Sequence, residues 1–182
     1  FMLIALVQMK VIAGDVCLNR ERGLKMAEQA ADNAQVVVLP EIWTTGYALR
    51  DLDKWAEEPD GSTITTLADL AKTKKIDNKI YNEAMVFGPD GTTIAQYQKA
   101  HMFSMYGEQR FFSTGSGRTV FNLGQTTVGL TICYDLRFPE LFRSLTLDGA
   151  HIIFVIAEWP AVRSHHWLVL NQARAIENQV YI

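Results

Sequence analysis

The chain alternates between short segments rich in β-branched and aromatic residues and longer segments whose apolar residues recur every three or four positions. Segments of the first kind are typical of β-strands, and they cover residues 3–9, 36–39, 80–87, 92–98, 120–123, 126–132 and 151–156. Segments of the second kind predict helices, and they cover residues 19–34, 62–71, 138–148 and 164–179. Because strands and helices alternate along the chain, the sequence predicts an α/β fold.

The pattern also predicts details of the first and last helices. Asn19 is the expected N-cap of the first helix, since Asn side chains accept hydrogen bonds from the free N–H groups there. In the last helix, Trp167, Leu170 and Ile176 are the apolar residues available for burial. Opposite charges three residues apart can pair on a helix surface; the two candidate pairs are Arg137 with Glu140 and Arg174 with Glu177.

Three chemically active residues follow the ends of predicted strands: Glu41, Lys99 and Cys133. Sheets of α/β proteins place ligands at such strand ends. The three groups are complementary, since a thiol can attack, a carboxylate can transfer protons and an ammonium can stabilise a developing negative charge. Each also has an ordinary explanation, because charged residues at strand ends are usually solvated and a lone cysteine is usually a small buried apolar residue.

Cys133 has the most informative local context of the three. It lies where the strand over residues 126–132 gives way to a helix that opens at Pro139. Backbone N–H groups at such a turn can face a bound oxyanion, and the nearby start of a helix favours negative charge. The position therefore suits a nucleophilic thiol.

Composition narrows the classes of function. With 182 residues, 48% of them apolar and 20% charged, the chain is long enough for one globular domain. The net charge of −3 provides no basic surface for nucleic acid. No apolar run reaches the length of a membrane span. We therefore expect no nucleic-acid partner and no membrane partner.

The cysteines and histidines predict neither a disulfide framework nor a metal site. Cys17 and Cys133 are far apart, and a reduced, cytoplasmic location is the default for such a pattern. His101, His165 and His166 are not spaced as zinc ligands with any acid or cysteine. We expect no metal and no cofactor.

Four blocks of sequence resemble a known family. The blocks LPEIWTTGY (39–47), YQKAHMF (97–103) and CYDLRFPELFR (133–143) look like the three catalytic blocks of the nitrilase, or carbon–nitrogen hydrolase, superfamily. The segment AEWPAVRSHHWLVLNQARAIENQVYI (157–182) is similar to the family's segment after the nucleophile. Within the superfamily, the resemblance is to the amidase-type (Nit2/ω-amidase-like) branch.

The resemblance implies a fold, an assembly and residue roles. The fold would be a four-layer α-β-β-α sandwich, built into a homodimer or larger homo-oligomer. Cys133 would be the nucleophile, Glu41 the general base and Lys99 the stabiliser of the transition state. Glu108 would be a second active-site glutamate that supports Lys99, although by itself it reads as a loop acid. The backbone N–H of Tyr134 would complete the oxyanion site.

Two aromatic residues flank the predicted site in the sequence, Tyr47 and Trp159, and we expect them to line a substrate pocket with Tyr134. Trp43 is a further candidate. Packing in a core or in a dimer interface is the alternative for each of these aromatic residues.

The function implied is hydrolysis of a small linear amide, such as an ω-amide of a dicarboxylic acid, to carboxylate and ammonia through a cysteine thioester. The enzymatic alternatives are hydrolysis of an N-carbamoyl amide or of a nitrile, since the same triad suits both. A non-catalytic scaffold with this fold is a third alternative. A redox-sensing thiol is a fourth, and it lacks a resolving cysteine because Cys17 is remote in sequence.

Two departures from the family pattern concern the extent of the domain. Residues 74–77 run almost directly into the following segment, where the family has a further strand and turn. The sequence also stops at Ile182, before the family's later strands. We therefore expect a single domain over residues 1–182 that lacks a segment near 75–77 and the C-terminal part.

Overall fold

The computed structural model describes residues 3–57, 61–63, 66 and 81–182. Most of the helix predicted over residues 62–71 lies outside the described residues, as does the region near residues 75–77. The strands are β1 (Ile4–Leu6), β2 (Val36–Val38), β3 (Glu83–Phe87), β4 (Thr93–Gln98), β5 (Thr119–Leu123), β6 (Thr126–Ile132) and β7 (Ile152–Ile156). The α-helices are α1 (Val16–Ala31), α2 (Leu52–Trp55), α3 (Pro139–Leu147) and α4 (Ser164–Asn178).

Within the described residues, the strands form two two-stranded sheets, of which one is parallel and one antiparallel, and one three-stranded sheet. β1 pairs in parallel with β2, while β3 and β4 form the predicted antiparallel hairpin. β5 pairs antiparallel with β6, and β6 pairs in parallel with β7. The hydroxyl of Thr119 in β5 donates to the carbonyl of Gln96 in β4 (2.7 Å), which holds the hairpin beside the three-stranded sheet.

Strand β6 lies at the centre of the core and is buried on both faces. Val128, Leu130 and Ile132 pack in one cluster with residues of β3, β4 and β5. On the opposite face, Gly129 lies against Leu145 of α3, and a Cβ at position 129 would come within 3.2 Å of it. Strand β6 is therefore covered by other strands on one face and by a helix on the other, and this packing holds its C-terminal end in a defined position.

Helix α3 follows the prediction closely. It begins with Pro139 at the first helical position, and the fully buried residues Phe142 and Leu145 lie on one face. They pack with Leu136 and with Ile153 of β7. Burying an aromatic or leucine side chain of this kind contributes about 1.5–3 kcal/mol.

The predicted N-cap of the first helix was wrong. The N-cap of α1 lies four residues earlier, at Asp15, whose side chain accepts from Leu18 N–H (3.2 Å). Asn19 is fully buried inside the helix, where its side chain bonds to both backbone groups of Ile12 and to the carbonyl of Thr44. The amide ties two loops to the helix, and such long-range contacts are invisible to a local capping rule.

Helix α4 confirms two of its three predicted apolar contacts, since Trp167 and Leu170 are partly buried and pack against the cluster around α3. Ile176 is 78% exposed, whereas Arg174 and Asn178 are buried. The Arg174 guanidinium donates to the carbonyl of Leu136 (2.9 and 3.1 Å) and pairs with Glu177 (3.1 Å) as predicted. Among the described residues, no helix has both the length and the apolar character needed to cross a bilayer.

Candidate active site

Three buried charged side chains meet at the ends of strands. Glu41 follows β2, Lys99 directly follows β4, and Glu108 opens a 3₁₀ turn over Glu108–Arg110. The Lys99 ammonium lies 2.7 Å from Glu41 Oε1 and 2.9 and 3.0 Å from the two oxygens of Glu108. Lys99 and Glu108 are fully buried and Glu41 is 2% exposed. These three charged groups can be buried away from water only because each lies next to a group of opposite charge.

Glu41 is fixed by further donors from three directions. Its Oε1 accepts from the buried side chain of Asn82 (2.7 Å). Its Oε2 accepts from the hydroxyl of Tyr47 (3.2 Å) and from the backbone N–H of Glu158 (3.1 Å). A carboxylate this fully bonded has a defined orientation, which a proton-transfer group requires.

Glu108 is held by its own loop. Its Oε2 accepts from Phe103 N–H (2.6 Å). Gly115 donates its N–H to the carbonyl of Lys99 (3.0 Å), and a Cβ at this glycine would lie 2.1 Å from the carbonyl oxygen of Gln98. Only glycine lets the two backbones approach so closely. The loop over residues 107–115 is thus clamped against the strand end that carries Lys99.

Cys133 begins a 3₁₀ turn, Cys133–Arg137, directly after β6. Its φ of 46° lies in the left-handed region that non-glycine residues seldom adopt, a strained conformation often found at functional residues. The thiol is buried and donates to the carbonyl of Glu158 (3.7 Å). The first N–H groups of such a turn have no acceptor inside it, so they are available to an oxyanion.

Asp135 holds the turn in place. Its carboxylate accepts from Ile132 N–H (2.9 Å), from the hydroxyl of Tyr97 (2.8 Å) and from His101 N–H (3.0 Å). It also contacts His101 Nδ1 (2.7 Å), and the His101 ring stacks on Phe138 at 3.6 Å. These bonds connect the turn that carries Cys133 to the end of β4 that carries Lys99.

Burial and neighbouring charges set the protonation of the site. Burial raises the pKa of the Cys133 thiol well above its usual range, and the charge of Glu41 adds to this, against a smaller opposing effect of Lys99. Burial alone would lower the pKa of Lys99, but the charges of Glu41, Cys133 and Glu108 outweigh it and raise that pKa. The thiol is therefore protonated at neutral pH and needs a base in order to attack.

A pocket of about 290 Å³, measured with its opening, lies over the thiol. Five of its ten lining residues are aromatic, and the other five include two arginines and one glutamate. It is lined by Tyr47, Phe103, Tyr106, Cys133, Tyr134, Arg137, Glu158, Trp159, Pro160 and Arg163.

The structure brings the predicted site residues together. Glu41, Lys99 and Glu108 share one hydrogen-bonded cluster, and Cys133 lies within its electrostatic influence. Tyr47, Tyr134 and Trp159 line the pocket as expected. Trp43 does not: it packs so closely on α1 that a Cβ at Gly23 would come within 2.2 Å of its ring. The pairing expected between Arg137 and Glu140 is not formed, since Arg137 instead contacts His166 (3.5 Å).

Sequence reasoning missed Asn82, Asp135 and Glu158. Glu158 lies two residues after β7, so the rule that identified Glu41 as an acid at a strand end would have found it. Asn82 and Asp135 carry no comparable local signal, because their roles depend on partners more than 30 residues away.

Within the described residues, no group of His, Cys, Asp and Glu side chains is arranged to hold a metal ion. The arrangement present can perform acyl transfer, with nucleophile, proton acceptor and oxyanion donors around one pocket.

Comparisons with known proteins agree with this geometry. A family model described as carbon–nitrogen hydrolase matches residues 3–182. The chain is 36% identical over 190 residues to the 2-oxoglutaramate amidase of Bacillus subtilis, covering 98% of this chain and 73% of that protein. It is 32% identical over 188 residues to the omega-amidase NIT2 of Xenopus tropicalis, covering 90% of this chain and 67% of that protein.

A solved structure agrees as well. Nit3 of Saccharomyces cerevisiae, described as a member of branch 10 of the nitrilase superfamily, matches with a TM-score of 0.86 and 30% identity. The match covers 98% of this chain and 73% of Nit3. This similarity confirms the predicted α/β fold of the nitrilase type.

Proposed function

This chain belongs to the carbon–nitrogen hydrolase family, and from that premise we propose that it hydrolyses the terminal amide of a small dicarboxylic acid monoamide through a thioester on Cys133. The family and its amidase relatives make the chain an enzyme that cleaves a carbon–nitrogen bond in a small amide. The observation that carries the proposal is the cluster of Glu41, Lys99 and Glu108 beside the buried thiol.

The names of the relatives support the substrate class. One acts on 2-oxoglutaramate and another is an omega-amidase. An oxoglutaramate carries an amide at one end and a carboxylate at the other, and omega-amides are terminal amides of the same kind. The pocket over the thiol is open to solvent and has an aromatic and apolar wall, which leaves access for the end of a small molecule.

In the first half of the reaction, Cys133 attacks the amide carbon while Glu41 accepts the thiol proton. The new S–C bond places the carbonyl electron pair on oxygen, and this oxyanion is stabilised by the Lys99 ammonium and by the N–H of Tyr134. Glu41 then returns its proton to the nitrogen, the C–N bond breaks and ammonia leaves. Glu108 positions the Lys99 ammonium throughout.

In the second half, Glu41 removes a proton from water as the water oxygen attacks the thioester carbon. The C–S bond breaks, the sulfur recovers the proton from Glu41, and the carboxylic acid is released. Covalent catalysis thus divides one difficult hydrolysis into two easier steps. Every charge and proton in the scheme comes from residues of this chain and from water.

The test compares Cys133→Ala and Glu41→Gln with wild type in ammonia release from glutaramate. We expect Cys133→Ala to lower turnover by roughly 10⁴-fold or more, and Glu41→Gln to lower it by roughly 10²–10⁴-fold. Because the protonated thiol needs Glu41 as its base, Glu41→Gln should also slow the alkylation of Cys133 by iodoacetamide.

Exposed Glu21 on α1 provides the control, since Glu21→Gln should change neither quantity. Mass spectrometry of wild type during turnover should show an acyl adduct on Cys133. Turnover that survives Cys133→Ala would contradict the proposal. Release of ammonia from an N-carbamoyl amino acid or a nitrile, and not from glutaramate, would favour those alternative reactions. Absence of all three activities would favour the scaffold.

We also propose a homodimer in the cytoplasm, with residues 1–182 belonging to one carbon–nitrogen hydrolase domain. Both cysteines are free, which suits a reducing compartment. Exposed apolar residues on and near α4, among them Val162 (92%) and Ile176 (78%), suit an interface. Light scattering at micromolar concentration should give twice the monomer mass, and a monomer would contradict the proposed dimer. Cell fractionation should place the protein with cytoplasmic markers, and its recovery in a membrane fraction would contradict the proposed location.

A further inference from the structure

The two carboxylate oxygens of Glu41 have different partners. Oε1 accepts from the Lys99 ammonium and from the side-chain amide of Asn82, both at 2.7 Å. Oε2 accepts from the Tyr47 hydroxyl at 3.2 Å and from the backbone N–H of Glu158 at 3.1 Å. The contacts of Oε1 are shorter and one of them comes from a positive charge, so Oε1 is bound more strongly than Oε2.

Asn82 contacts both members of the buried ion pair between Glu41 and Lys99. It lies immediately before β3 and is 6% exposed. Its backbone carbonyl accepts from Lys99 N–H (2.9 Å), which fixes the residue beside the end of β4. A carboxylate can only accept hydrogen bonds, so the part of the side-chain amide that faces Oε1 is the NH₂ group. Asn82 is therefore a neutral donor whose position is set by the strand end that carries Lys99.

The two oxygens of Glu41 differ in how readily they can take up a proton. A proton on Oε1 would displace the Asn82 donor or the Lys99 ammonium, and the displaced group would be buried without its acceptor. A proton on Oε2 displaces weaker contacts. The Tyr47 hydroxyl can turn, because a hydroxyl is both a donor and an acceptor. Oε2 is therefore the oxygen that can exchange a proton.

The thiol lies on the side of Oε2. Cys133 donates to the carbonyl of Glu158 (3.7 Å), and Glu158 is the residue whose N–H donates to Oε2. Burial and then the charge of Glu41 raise the pKa of the Cys133 thiol, and a hydrogen bond with the Glu41 side chain adds to the effect. The proton to be transferred is thus close to the more weakly bound oxygen of the base.

We propose that Asn82 is a positioning residue for proton transfer: with Lys99 it occupies Oε1 of Glu41, so that Oε2 accepts the proton of Cys133 and delivers it to the leaving nitrogen. The inference rests on the proposed function and deepens it. In the first transfer, the S–H bond breaks as an O–H bond forms on Oε2. In the second, this O–H bond breaks as an N–H bond forms on the nitrogen that leaves as ammonia. Asn82 acts through Glu41 and is not among the residues that line the pocket.

Asn82→Leu removes the donor at every pH while roughly keeping the volume of the side chain. Oε1 then loses a partner and the carboxylate can turn away from the thiol. We expect kcat to fall by about 100-fold with KM little changed. This should hold for glutaramate and for butyramide, an amide of similar length without the distal carboxylate. Alkylation of Cys133 by iodoacetamide should slow as well, because it needs the same transfer of the thiol proton.

Asn82→Asp keeps the shape of the side chain and makes the donor depend on pH. The new carboxyl lies against Glu41 and is hard to ionise, because two carboxylates in contact repel each other. While protonated, it can donate to Oε1 as the amide does, so kcat at low pH should be close to that of wild type. As the pH rises it loses its proton, and kcat relative to wild type should fall towards the value for Asn82→Leu. A residue that only filled space would not produce this pH dependence.

The kcat of Asn82→Asp is divided by that of wild type at each pH, because other groups near Glu41 titrate too. Those that interact with the charge of Glu41 or share its ammonium partner are Tyr47, Lys99, Glu108, Cys133 and Glu158. All five are present in both proteins, so the ratio reports the new carboxyl.

Asn122→Asp is the matched control. Asn122 is exposed, lies outside the pocket and accepts from the Thr127 hydroxyl (3.1 Å), a contact that a carboxylate retains. Its kcat relative to wild type should not change with pH. Circular dichroism establishes that each variant is folded, and if Asn82→Leu does not fold, the pH profile of Asn82→Asp decides.

The inference is wrong if folded Asn82→Leu keeps the kcat and the alkylation rate of wild type. It is also wrong if the ratio for Asn82→Asp is the same at every pH. Failure of the proposed function is distinct, since wild type would then release ammonia from neither amide. The alkylation rates of the two variants, which require no substrate, would still decide the role of Asn82.

Discussion

The buried cluster below the pocket and the wall above it use positive charge in opposite ways. Lys99 is fully buried, and every ammonium contact is already made by Glu41 and Glu108. Arg137 and Arg163 are half-buried and have aromatic rings where carboxylates would be expected. The first arrangement is complete within the protein itself, whereas the second has no carboxylate partner among the described residues.

This difference separates chemistry from selection. Catalysis by electrostatic stabilisation requires donors that are already oriented when charge develops, because reorienting them would add to the barrier. Recognition requires the reverse, since a group that is already satisfied gains little from binding. Lys99, held by two carboxylates, has the preorganised arrangement, whereas Arg137 and Arg163 have no carboxylate partner among the described residues.

Replacing a cation by methionine in each region should give the largest difference between the two regions, measured as a change in the free energy of unfolding. Lys99→Met leaves Glu41 and Glu108 buried without their shared partner, so we expect a loss of about 3–5 kcal/mol in the free energy of unfolding. For a domain of this size, that corresponds to a fall of roughly 6–20 °C in Tm. Arg163→Met removes a cation with no ion pair and should change stability by at most about 1 kcal/mol. Urea denaturation monitored by fluorescence measures both.

Pairing Lys99→Met with Glu108→Gln provides the control, because removal of one buried carboxylate should restore part of the stability while turnover stays lost. Equal stability losses for Lys99→Met and Arg163→Met would remove the distinction between a satisfied cluster and an unsatisfied wall.

A smaller effect concerns Glu158, the acid that lies between the two regions. Burial, with the charge of Glu41 as the second cause, raises the pKa of Glu158 to about 7. Below pH 7 the group is mostly neutral, and above pH 7 it adds a negative charge to a pocket that binds an anion. We therefore expect KM for glutaramate to rise about two- to five-fold between pH 6 and pH 8. KM for butyramide, measured in the same buffers, should not follow this trend.

Glu158→Gln should remove the rise in KM for glutaramate. The other ionisable groups that line the pocket or contact its arginines are Tyr47, Tyr106, Cys133, Tyr134, Arg137, Arg163 and His166. Burial first, and the Glu41 charge second, raise the pKa of Tyr47 well above its usual range, so it does not titrate in this window. An unchanged pH profile in Glu158→Gln would assign the trend to another of these groups.

Local sequence rules worked where the decisive forces are local. The helix at Pro139 and the hairpins of β3–β4 and β5–β6 were predicted within a few residues, because their turn residues and apolar periods agree. The rule that strand ends carry ligands found Glu41, Lys99 and Cys133. The capping rule failed for Asn19 and the apolar pattern of α4 failed for Ile176, because long-range contacts hold the Asn19 side chain and leave Ile176 exposed.

The sequence by itself determined the α/β class and the succession of strands along the chain. It also indicated the candidate reactive residues Glu41, Lys99 and Cys133, since each of these predictions depends on residue type and short spacing. Tertiary structure alone decided that Glu41, Lys99 and Glu108 share one set of hydrogen bonds, and that Arg137 and Arg163 face the same pocket without carboxylate partners. The physical reason is that pKa values, ion pairing and recognition depend on distances between groups and on their exposure to water. Packing sets both quantities, and it joins residues that lie far apart along the chain.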